Sequence, residues 1–89
     1  MAKKRRKLNK DFEKKIYTSK KNVELVLAKI YDIDDEDIQK EYMSAFNQVV
    51  YLYDELKEDY ERRGFSDNSE ELLTSYKNAF NLFESEFEI

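Results

Sequence analysis

Cysteine and histidine are both absent from this 89-residue chain. Without cysteine there is no disulfide and no thiolate metal site. Without histidine the commonest general base and metal ligand is missing. Proline is also absent, and glycine occurs once, at Gly64. That excludes the frequent punctuation that short strands and tight turns require, and with it any glycine-rich phosphate loop. No apolar run approaches the roughly 18 residues of a membrane span. Lys10, Asp11, Glu13, Lys14 and Lys15 stand where a signal peptide would continue as an apolar stretch. The expectation is a cytoplasmic protein without cofactor. Catalysis is not expected: Ser or Thr would need a base other than His or Cys, and three packed helices leave little room for a substrate pocket.

What the chain does have is charge, sorted by position. Residues 1–31 carry eleven Lys or Arg against three Asp or Glu, a net of +8. Residues 32–89 carry five against seventeen, a net of −12, so the overall −4 conceals both halves. Such asymmetry points to a basic arm for polyanions on an acidic body. Hydrophobic residues make up 40%, with seven Tyr and six Phe. That is enough for a core from about residue 23 onward and argues against disorder there. Lys, Glu, Asp, Asn, Ile and Tyr are common, a mix that suits an AT-rich coding sequence such as that of a low-GC bacterium, its phages or its plasmids.

The apolar positions are helical throughout, predicting an all-α fold. Leu8, Phe12, Ile16, Val23, Val26, Leu27 and Ile30 form one stripe over about 9–31, weakened from Thr18 to Asn22. This gap leaves room for a break near Ser19, with Ser19 or Asn22 as a second cap. Asp34 reads as the cap of a helix over 35–63, with Ile33 and Ile38 as its hydrophobic staple. Within it, Ile38, Tyr42, Ala45, Val49, Leu52 and Leu56 form one stripe, beside a second made of Phe46, Tyr53 and Tyr60. Gly64 suits its left-handed end. Asp67 and Glu70 have capping-box spacing for a helix over 67–87, whose stripe is Leu73, Tyr76, Phe80, Phe83 and Phe87. The result is a compact three-helix bundle: a basic tail over residues 1–7 and one helical domain over 8–89.

The basic arm supplies the first candidate site. Lys3, Lys4, Arg5, Arg6, Lys7 and Lys10 are placed to neutralise phosphates, with Lys14 and Lys15 behind them. Cations of this kind give nucleic-acid affinity without sequence readout. The bland alternative is a solvated tail. Phe12 lies on the apolar stripe and reads as core, while Tyr17 lies off it. The acids Asp32, Asp34, Asp35, Glu36 and Asp37 imitate the start of a calcium loop but lack its Gly and its final Glu, so they read as helix-capping charge rather than a metal site.

The body supplies the second candidate site. Tyr51 and Tyr53 do not both fit inside a small bundle. One of them, with Met43 and Val50, is expected to form an apolar patch for a protein partner or a homodimer. Glu55, Glu58 and Asp59 stand for the acidic helical face. Three functions follow. The favoured one is a small binding or regulatory protein whose basic arm contacts nucleic acid while its body contacts a protein of the same assembly. The second is an acidic stoichiometric inhibitor that imitates nucleic acid and blocks a nuclease or another nucleic-acid-binding protein. The third is a helical immunity or adaptor protein at an anionic membrane surface. Internal pairing of the lysines of the first helix with acids of the long helix would instead make the charge sorting structural.

Overall fold

In a computed structural model that describes residues 7–88, the chain forms three helices: α1 (Lys10–Tyr31), α2 (Glu36–Arg63) and α3 (Asp67–Glu86). Both α1 and α3 run antiparallel to α2. Asn9 meets Tyr60 at one end, while Gln39 reaches Ile30 and Tyr42 stacks on Phe87 at the other. The all-α three-helix expectation therefore holds, with boundaries within one residue of those read from the periodicity.

Local chemistry sets each start. The Asn9 side chain accepts from Phe12 N at 3.0 Å to cap α1. Asp35, not Asp34, caps α2, accepting from the backbone N–H of Asp37 and Ile38. That shift removes Ile33 and Ile38 from staple positions: Ile33 packs on the core, and Ile38 is left exposed. Ser66, not Asp67, caps α3, in a reciprocal capping box with Ser69. Negative first-turn residues then complement each helix dipole.

The helix α1 is continuous, so the break near Ser19 does not occur. Ser19 is buried, and its hydroxyl donates to the Lys15 carbonyl at 2.8 Å. A small residue is needed there because Tyr76 of α3 arrives over it, donating its hydroxyl to the Ser19 carbonyl at 3.2 Å. Leu8 lies ahead of the helix and is exposed rather than on the buried stripe.

Aromatic side chains form much of the core. Phe12, Tyr60 and Phe65 cluster at one end. Tyr42, Phe46, Phe80, Phe83 and Phe87 cluster at the other. Tyr53 and Tyr76 join them across the middle, with ring centroids 6.3 Å apart. Each such pair contributes about 0.5–1.5 kcal/mol beyond its buried area. Phe46, Ile30, Leu56 and Val49 are the most deeply buried apolar side chains. The bundle is long and thin, 58 × 20 × 18 Å, and the 28 residues of α2 span about 42 Å of that length.

Candidate functional site

Lys3, Lys4, Arg5 and Arg6 lie outside the described residues. Lys7, read from the sequence as the last residue of the tail, is tied to the body. Its backbone forms a parallel bridge with Gly64, and its carbonyl accepts from Phe65 N at 2.6 Å. Its ammonium stands 5.9 Å from the centre of the Phe65 ring, a cation–π distance. Two residues on, Asn9 N donates to the Tyr60 hydroxyl at 3.0 Å, and that hydroxyl donates to Glu13 at 2.6 Å. The chain therefore enters the fold at the α2–α3 corner, immediately beside the first turn of α1.

Lys10, Lys14 and Lys15 are all exposed on α1, as are Lys20, Lys21 and Lys29. Among the described residues none of them forms an ion pair; the pair present is Asp59 with Arg63, inside α2. Direct ion pairing of the α1 lysines with the long helix is thus not seen among the described residues. Phe12, Val23, Val26 and Ile30 of α1 are buried in the core, while its lysines are exposed. Phe12 is buried as core, and Tyr17 is exposed, with the Lys21 ammonium 5.4 Å from its ring centre.

The expected apolar patch on α2 is not assembled. Tyr53 is buried against Tyr76, and Met43 and Val50 are half-buried against the core. Tyr51 alone of the four is exposed, turned about 100° from each sequence neighbour by the helical repeat. Glu55 and Glu58 are exposed as expected. Asp59 is not on that acidic face: it is buried at 7% exposure. It follows Leu56 by three residues and precedes Tyr60, both core, so the helix turns it inward. There Asn68 donates to its Oδ1 at 3.0 Å, with Arg63 at 3.4 Å, while Oδ2 is buried without a partner. Asp59 is a corner residue that ties α2 to the start of α3.

Burial raises the phenol pKa of Tyr53 above its ordinary value, aided by Asp54, Glu24 and Glu61. Burial likewise raises that of Tyr76, opposed by the hydrogen bond at Ser19. Both phenols are therefore held neutral as structural groups. Among the described residues, no three carboxylates come together to hold a metal ion, and no helix is long and apolar enough to cross a membrane.

One further surface leaves little trace in the sequence. Between α1 and α3, which meet at the Tyr76–Ser19 contact, runs an open groove of about 540 Å³. Lys14, Lys15 and Lys29 line one side, Lys77 and Glu84 the other, with Leu25, Tyr76 and Phe80 between. Its only signal in the sequence is Leu25, a leucine one helical step off the buried stripe, which is 57% exposed. No protein-family model, curated protein or solved structure matches the chain.

Proposed function

We propose that this is a non-enzymatic binding protein that holds nucleic acid through its basic leader and the exposed lysines of α1, while its helical body contacts a protein of the same assembly. The observation that carries this reading is the unneutralised row of α1 lysines. Lys10, Lys14, Lys15 and Lys21 remain exposed and without an ion pair among the described residues, although the rest of the chain is strongly acidic. Lys7 is fastened beside the first turn of α1, at the same end as the start of that row. A chain needing only solubility gains nothing from keeping its cations together.

Binding of labelled single- and double-stranded oligonucleotides across a salt series tests the proposal. Five to eight neutralised phosphates give a slope of log K against log[salt] of about −4 to −7. Replacing Lys3, Lys4, Arg5, Arg6 and Lys7 with Gln should weaken binding and flatten the slope by about 0.9 for each phosphate no longer neutralised. Affinity that ignores salt, or ignores these substitutions, rejects the reading.

The acidic-inhibitor reading draws on Asp54, Glu55 and Glu58, which are exposed on α2. It predicts the opposite dependence: inhibition of a nuclease that survives loss of residues 1–6 and fails when Glu55 and Glu58 become Gln.

A further inference from the structure

We infer that the groove between α1 and α3 is the docking site for an acidic amphipathic helix of the protein partner, which would complete a four-helix arrangement. This rests on the reading above that the body contacts a protein, and it names the surface and the chemistry of what binds there.

The geometry asks for a helix. Both α1 and α3 lie against α2, yet they touch each other chiefly where Tyr76 reaches Ser19, so a channel stays open along their shared side. From Lys14 to Lys29 it follows α1 for about 22 Å, or some four turns of a facing helix. Leu25 stands 57% exposed at this channel, and Phe80 is half-buried within it. Apolar side chains of this kind receive the i, i+3, i+4 anchors of a docked helix. The backbone of both walls is internally hydrogen-bonded, so no strand edge is offered.

The charge asks for an acidic one. Lys15 and Lys29 on α1 and Lys77 on α3 flank the apolar strip from both sides, against Glu84 as the one acid lining the groove. None of the three lysines forms an ion pair among the described residues. A bare phosphate backbone would use the lysines but leave Leu25 and Phe80 without a partner. A helix with Leu anchors and flanking Glu uses both.

The test is a fluorescein-labelled synthetic peptide of about four to five helical turns, with Leu at i, i+3, i+4 and i+7 spacing and Glu on both flanks, titrated against the full chain. Anisotropy gives the affinity, and amide shifts locate the site. Binding should move amides around Leu25 and Phe80 and weaken as salt rises. Leu25→Asp, a substitution at an exposed position, should weaken binding about tenfold while thermal unfolding stays cooperative. Lys29→Glu with Lys77→Glu should reverse preference toward a peptide carrying Lys for Glu. Leu25→Asp should leave oligonucleotide affinity intact, and the Lys3–Lys7 variant should leave peptide affinity intact, so either proposal can fail alone. Three results would overturn the inference. The first is no binding of the acidic peptide, or binding indifferent to Leu25. The second is oligonucleotide, rather than peptide, moving the amides around Leu25 and Phe80. The third is a self-associating chain whose dimer is lost on Leu25→Asp, which would make a second copy the occupant.

Discussion

Asp59 places a carboxylate where one oxygen is satisfied by Asn68 and Arg63 and the other is buried with nothing to accept from. Burying a charge so incompletely paired is costly. Asp59→Asn keeps an acceptor toward Asn68 and removes the charge. Its urea midpoint should match or exceed the parent's. A loss beyond about 1 kcal/mol would show that the charge itself, facing Arg63 and the start of α3, holds the corner. The buried phenols give a second prediction at this scale. Below their ordinary value of 10.0, Tyr53 and Tyr76 are protonated in both folded and unfolded chains. Their folded pKa is raised, so with rising pH the unfolded chain ionises first and binds fewer protons. The stability they contribute is thus present below that value and is lost as pH climbs through the folded pKa. Urea midpoints should hold steady to about pH 9 and fall above about pH 10. Tyr53→Phe with Tyr76→Phe should shallow that fall. The variant will also lose about 0.5–1.5 kcal/mol at neutral pH, since Tyr76 gives up its bond to the Ser19 carbonyl. An equally steep fall in the double variant would place the alkaline loss elsewhere.

At the scale of the helix, the caps separate what local spacing can and cannot say. Helical period reveals all three elements, because stripes such as Phe46–Tyr53–Tyr60 and Tyr76–Phe83 depend only on the chain's own repeat. The caps of α2 and α3 fall one residue from where spacing puts them, because Asp34 and Asp35, or Ser66 and Asp67, are chemically near-equivalent. Only backbone angles decide between such neighbours, and the extended residues here are Asp35 and Ser66. Ser66→Ala should therefore cost about 1 kcal/mol in chemical unfolding, and Asp67→Ala only a few tenths. The reverse order would restore Asp67 as cap. The gap at Ser19 misleads for a different reason: it makes room for Tyr76, 57 residues away, which no local pattern encodes. The same limit hides the candidate surfaces. Tyr51 against Tyr53, and the inward turn of Asp59, depend on where α3 lies. The α1–α3 groove depends on two helices that are not consecutive. Gly64 is the sharpest element-level test. Its φ of 79° and ψ of −161° lie outside the left-handed helical region expected of it, in a zone essentially reserved for glycine. Gly64→Ala should cost about 1–3 kcal/mol by denaturant titration. A near-neutral result would mean that the corner can be rebuilt with ordinary angles.

For the whole molecule, thinness matters as much as helicity. A body 58 Å long and about 20 Å across keeps every helix within reach of solvent, so each helix offers a face to a partner. It will elute ahead of a globular protein of 10.8 kDa, and absolute mass by light scattering is the measure of its oligomeric state. Removing residues 1–6 keeps the Lys7 tie and serves as the reference. Removing residues 1–9 takes that tie, the Asn9 cap and its bond to Tyr60, and should cost about 1–2 kcal/mol. Comparable stability for both truncations would show that the fold does not need its entry strap.

That strap is seated on the chain's only glycine. One residue thus turns the backbone between two helices and receives the segment that leads to the cationic end. A descendant chain that drifted away from glycine at position 64 would have to find a new bend and a new berth for its leader in the same step.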